Sequence, residues 1–175
     1  MSAPQDVVPD HGLTPELFPA GSKIDQAAID TAVETIRRLA DWHVWPERAE
    51  TLRVDSPGDP MVVLPTKRLV SVNAVRVDGK EVAVDPDGWS PDGTIWIDGL
   101  RPTCSGRPRR VEVDVVHGYS GPGDVLSLVR SMAGRSASPS QSYQVGRINV
   151  GAPGAATPQS TEWRIIDEIR LGPLP

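Results

Sequence analysis

Short alternating runs of apolar and polar residues fill the middle of the chain, and longer runs with helical spacing lie on either side. The clearest strand covers residues 68–77 and closes on Asp78-Gly79. Strict alternation puts Val70, Val72 and Ala74 on one face and Leu69, Ser71, Asn73, Val75 and Val77 on the other. Asp-Gly after such a run predicts a tight hairpin, because both central positions of a type I′ turn need positive φ. Residues 80–84 form the return strand, and further strands are predicted over 50–54, 61–64, 94–97 and 110–116. In the last of these Val111, Val113 and Val115 share one face, and Glu112 and Asp114 the other. Short strands at regular turn spacing point to an antiparallel sandwich or barrel.

Upstream, Ile29, Val33, Ile36 and Ala40 recur at helical intervals, predicting helix one over 25–41 with Ser22 or Asp25 as its cap. It ends at Trp42-His43-Val44-Trp45-Pro46, where the proline pushes Trp45 out of helical geometry. Downstream, Val125, Leu128, Val129 and Met132 give helix two, from Asp124 to about Ser136, stopped by Pro139. Residues 141–150 read as a short strand or hairpin exposed at an edge, and 151–158 as a linker. Helix three, 159–170, carries Trp163, Ile166 and Ile169 (or Ile165) on one stripe, with Ser160 or Thr157 as cap. The expected class is α+β: about three helices, with an antiparallel β-sandwich or barrel inserted between helix one and helix two.

Composition narrows the function classes. Of 175 residues, 18 are proline and 16 glycine, which suits a modest core with extended arms. Residues 1–23 read as a flexible arm, with Leu13, Leu17 and Phe18 as candidate anchors. No run is apolar enough for a membrane span. The first residues lack the basic start and apolar stretch of a signal peptide. Cys104 is alone, so no internal disulfide forms, which fits synthesis in the cytoplasm. The net charge of −5 argues against a tight grip on phosphate and permits a surface that DNA passes without sticking.

Candidate chemistry is sparse. A thiol–imidazole pair of Cys104 with His43 or His117 has no surrounding motif. His11, His43 and His117 lie in no ligand spacing. The acidic loops at Asp55-Ser-Pro-Gly-Asp59 and Asp85-Pro-Asp87-Gly88 lack the closing Glu of an EF-hand and are explained by turn chemistry. Gly118, Gly121 and Gly123 match no phosphate-binding spacing. Trp42, Trp45 and Pro46 read as packing at a domain junction, the alternative being an exposed aromatic pair. Arg101, Arg107, Arg109 and Arg110 form a basic, proline-punctuated loop. It is either a solvated hairpin tip or a contact for an acidic partner or DNA phosphate, and the first is favoured. These residues indicate a binding or structural protein with no cofactor, not an enzyme.

The order of features carries a resemblance: amphipathic helix, Trp-His-Val-Trp-Pro, β-block, His117-Gly-Tyr119, second amphipathic helix. With Leu64-Pro-Thr-Lys-Arg-Leu-Val-Ser-Val72, Val75-Arg-Val-Asp-Gly79 and Gln144-Val-Gly-Arg-Ile-Asn-Val150, it resembles the head-to-tail adaptor (connector) proteins of long-tailed double-stranded DNA phages over residues 25–170. The linker at 151–158 and the arm at 1–23 depart from that pattern. The resemblance implies a helical connector domain of 24–46 plus 120–175 and an inserted β-domain of 47–119. It implies a homo-oligomeric, dodecameric ring in the virion neck, made in the host cytoplasm, below the portal protein and above a downstream neck protein. DNA would pass through its lumen without sequence-specific binding. Trp163, Ile166, Ile169, Leu171 and Leu174 are then the expected portal-docking residues, the equal alternative being that Trp163 and Ile166 simply pack on helices one and two. Two other classes stay open: a carbohydrate- or peptide-binding β-module with Trp89 and Trp96 as platform, and a hydrolase using Cys104 or His117. The neighbouring neck stopper is a close relative of the adaptor expectation, which helices one and two favour.

Overall fold

Asp78 and Gly79 adopt φ of 51° and 78°, and they join β3 (Leu69–Val77) to β4 (Lys80–Val82) in a two-residue turn. That hairpin belongs to a four-stranded antiparallel sheet of order β1-β6-β3-β4, completed by β1 (Arg48–Ser56) and β6 (Arg109–His117). A separate ribbon pairs β2 (Met61–Val63) with β5 (Thr94–Trp96). All six predicted strands are present; β1 and β6 are longer than predicted, and β4 is shorter. The computed structural model describes residues 10–137, 143–145, 148–150 and 158–172.

Strict alternation does not hold in β3. Register shifts against β6 fall between Leu69 and Ser71 and between Val72 and Ala74. Each shift leaves an extra residue on β3, the mark of a β-bulge. Leu69, Val72, Val75 and Val77 therefore pair with the buried His117, Val115, Val113 and Val111; Leu69 and Val75 are buried themselves, and Val72 and Val77 are partly buried against the core. Val72 shares the core face with Leu69, not the opposite one. Val70 is left 39% exposed. The core joins sheet residues Leu52, Leu69, Val75, Val111, Val113 and Val115 to Val62, Leu64, Ile95, Ile97 and Leu100 of the ribbon and its flanks. It is a small sandwich whose second layer is a two-stranded ribbon.

The helices flank this β-block in sequence, α1 (Gln26–Ala40) before it and α2 (Val125–Ala137) and α3 (Ser160–Ile169) after it. The sheet is thus inserted between the first and second helices of an α+β fold. Asp25 caps α1, its carboxylate accepting from the Ala28 N–H at 2.8 Å. The stripe Ile29, Val33, Ile36 and Ala40 is buried, as are Val125, Leu128, Val129 and Met132 of α2. The cap of α3 differs from the expectation: Glu162 reaches back to accept from the Gln159 N–H at 2.7 Å, the second half of a capping box. Thr157, Pro139, Leu174, the arm up to residue 9 and the linker at 151–157 lie outside the described residues. Between α2 and α3 the backbone forms the hairpin β7 (Tyr143–Val145) and β8 (Ile148–Val150).

The chain divides into two compact units, residues 1–39 with 122–168 and residues 40–121 with 169–175. In the first, the stretch before α1 carries packed anchors: His11, Leu13, Phe18 and Ile24 are buried, whereas Leu17 is 57% exposed. His11 accepts the Leu13 N–H on Nδ1, so its Nε2–H donates to Asp30, at 3.0 Å. Arg135 of α2 grips Glu162 of α3 with two parallel bonds of 2.7 and 2.8 Å.

Candidate functional site

The segment that leaves α1 builds the densest constellation in the second unit. Val44 sits at φ 63°, and the Trp45 N–H donates to the His43 carbonyl at 2.8 Å across it. Positive φ is costly for a β-branched residue. It persists here because Val44 is buried and its carbonyl accepts from the Tyr119 N–H at 2.8 Å. The turn carries Trp42 and His43 to the end of β6. Trp42 lies 5.8 Å from Tyr119, edge to face, and 6.4 Å from His117. The His43 and His117 rings are 5.8 Å apart. Trp45 is fully buried and Pro46 half-buried.

His117 is buried, between Thr66 at 3.1 Å from Nδ1 and Glu50 at 3.1 Å from Nε2. A carboxylate only accepts, so the Nε2–H donates to Glu50. Burial lowers the imidazole pKa and outweighs the opposing pull of Glu50. Burial alone would raise the Glu50 carboxyl; the hydrogen bonds from His117 and Arg48 hold it below its usual range. The site is a neutral imidazole locked in one tautomer.

The same residues bind the end of the chain. The Trp42 indole N–H donates to the Ile169 carbonyl at 2.7 Å, and the Leu171 N–H donates to the Ala40 carbonyl at 2.9 Å. Two of the expected docking residues therefore have their main chain engaged beside Trp42, with side chains half-buried. Trp163 is half-buried as well. Ile166 is fully buried within its own chain. Leu174 lies outside the described residues.

The arginine loop occupies the other end of the sheet. Arg109 bonds Asp78 at 2.7 Å and the Arg101 carbonyl at 3.1 Å, and Asp78 also accepts the Arg110 N–H. The Arg109 bond lowers the Asp78 pKa. Arg101, Arg107 and Arg110 are exposed. Cys104 is exposed in the loop that the Arg109–Arg101 contact holds at this end. From Arg109 to His117 β6 runs roughly 26 Å at 3.3 Å per residue, so the strand's length separates the thiol from the imidazole. Among the described residues no group of His, Cys, Asp and Glu could hold a metal ion. Trp89 packs on the core edge while Trp96 is 45% exposed, and no ring contact joins them among the described residues.

Sequence reasoning missed the His43–His117 contact and the Arg135–Glu162 fork. The histidines carry no local signal, since only the fold brings them together. Glu162 had one: a Glu at the third position of a helix is a capping-box position. On the outer face of the sheet, Arg76 bridges Glu112 and Asp114, and Thr51 also bonds Asp114. The two acids are a satisfied lattice on a solvated face.

No family model matches this chain, and no curated protein matches it. Solved structures share its fold, among them two from gene transfer agent particles. One is a chain in the neck of an empty gene transfer agent particle, computed with C6 symmetry. It matches with a TM-score of 0.54 and 20% identity over 85% of this chain and 80% of that one. The other is a chain in the virion of a native gene transfer agent particle. Its TM-score is 0.55, at 18% identity over 85% of this chain and 77% of that one. At these identities the likeness is one of fold.

Proposed function

We propose that this chain is a structural protein of a phage-type virion neck, the head-to-tail adaptor that rings the DNA channel below the portal. The carrying observation is a fold shared over most of the chain with a chain from a particle neck. Function is not fixed by fold, but the order of motifs along the sequence points the same way independently. The helical and inserted β regions are the connector and insertion domains of this reading. The ring is a dodecamer, which is compatible with sixfold symmetry. Its partners are the portal and a downstream neck protein, and DNA passes through without sequence-specific contacts. The separation of Cys104 from His117 supports a role without catalysis. The helices α1 and α2 favour the adaptor over a mainly β stopper.

Trp163, Ile169 and Leu171, with Leu174, are the docking residues in this reading; Ile166 contributes indirectly, by packing α3. Of the loop arginines, Arg101, Arg107 and Arg110 offer the partner contact, while Arg109 holds the loop to Asp78.

The test is to mix the protein with cognate portal rings and image the product by electron microscopy. A ring added to one end of the portal is the expected result. Trp163→Ala combined with Leu171→Asp is expected to weaken that association about tenfold, equivalent to roughly 1.4 kcal/mol. Absence of any portal association overturns the proposal.

A further inference from the structure

The first unit carries an apolar groove of about 780 Å³ between the segment before α1 and the outer side of α2. Leu17, Phe18, Leu126, Ser127, Gly134 and Arg130 are among its walls. Leu17 is the most exposed large apolar residue described. Arg135, also on the wall, is held by Glu162, whereas Arg130 is exposed to solvent. The second unit carries the converse shape. Met61 and Trp96 are cross-strand partners on the β2–β5 ribbon, 51% and 45% exposed. The ladder continues through the Ile97 N–H to the Pro60 carbonyl at 2.8 Å. That brings Asp59 and Asp98, both exposed, to the end of the ridge.

An exposed tryptophan and methionine side by side form the kind of patch that marks an interface. The ridge is apolar with acidic residues at one end. The groove is apolar, with Arg130 exposed on its wall and Asp124 exposed just before α2. The acids of the ridge complement Arg130. Ridge and groove also belong to different units of the chain. A contact that joins them between copies pairs unlike surfaces, and such a contact repeats from copy to copy, giving a ring where the rotation between copies closes.

We infer that copies of this chain associate head to tail, the Met61–Trp96 ridge of one copy seating in the Leu17–Leu126 groove of the next. This rests on the ring proposed above and names the surfaces that build it. Asp59 and Asp98 of the ridge face Arg130 of the groove.

Sedimentation velocity over a concentration series of the full chain tests it. The wild type is expected to self-associate. Trp96→Asp and Leu17→Asp each change an exposed side chain and should raise the dissociation constant at least tenfold, about 1.4 kcal/mol, with unchanged circular dichroism. A mixture of the two variants is the decisive arm. Each variant keeps one intact surface, so the mixture forms a one-to-one heterodimer and stops there. Should either variant misfold, Arg130→Glu breaks the association and Asp59→Lys with Asp98→Lys on the other copy restores it. Wild type that stays monomeric throughout, association that survives both substitutions, or a mixture without heterodimer overturns the inference. So does a groove variant that loses portal binding while self-association persists, since the groove is then the portal's site. Rings on the portal that ignore Trp96→Asp remove this interface and leave the neck role standing. Self-association through these surfaces without portal binding does the reverse.

Discussion

Glu162 shows how much one side chain can hold. It accepts the Gln159 N–H at the start of α3 and both arms of the Arg135 fork. Burial would raise its pKa, and Arg135 with the Gln159 N–H outweighs that and keeps it ionised. Glu162→Ala leaves a partly buried guanidinium and an uncapped helix. It should cost about 2 kcal/mol in urea unfolding, the scale of hydrogen bonds to a charged group. His117 makes a different prediction. Its folded pKa is lowered by burial, while an unfolded imidazole titrates near 6.5. Between those two values the unfolded chain binds more protons, so stability rises with pH there. The contribution is fully present above about pH 6.5 and is lost on acidification toward the folded pKa. Glu50, Arg48, Thr66, Trp42 and His43 surround the ring, and the Arg48 guanidinium makes a second positive charge there unwelcome. Thermal melts should show a fall in Tm from about pH 7.5 to about pH 5 that is smaller in His117→Gln.

Among the elements, the turns set register and the bulges set faces. Gly79 and Gly93 both have positive φ, of 78° and 98°. A Cβ at Gly79 would meet nothing within 4 Å, whereas one at Gly93 would lie 2.3 Å from the Thr66 carbonyl oxygen. Gly79→Ala should therefore cost about 1 kcal/mol, the conformational term alone. Gly93→Ala adds a backbone clash in the core-facing ribbon and should cost more than about 3 kcal/mol. Equilibrium denaturation of the two variants checks the difference; equal losses would show that conformation alone decides. The Asp78-Gly79 turn was legible in the sequence because both requirements of a type I′ turn are met within two residues. The bulges of β3 were not. A run of Leu, Val, Ser, Val, Asn, Ala and Val alternates acceptably in either sense, and only pairing with β6 decides which residue is extra.

For the molecule as a whole, the chain makes one long excursion from α1 through six strands to α2, with the short β7–β8 hairpin before α3, and that order is plain from periodicity. The helical stripes, the Asp25 cap and the six strands were all readable. Each depends on residues a few positions apart, which share one local geometry whatever the rest of the chain does. The proposed neck role draws on that same order and on a fold shared with a neck chain. What needed the tertiary structure was every property set by distant pairing. His43 meets His117 because a strained turn at Val44 hands the chain to the end of β6. Val72 faces the core with Leu69 because one bulge lies between them, and the second bulge, after Val72, keeps Val75 on the same face. Trp96 stays in solvent while Ile95 and Ile97 on either side are buried, because a strand with one covered face must turn alternate residues outward. Sequence determined which segments are amphipathic; the fold decided which of their apolar side chains were left over, and those are the ones available to a neighbour.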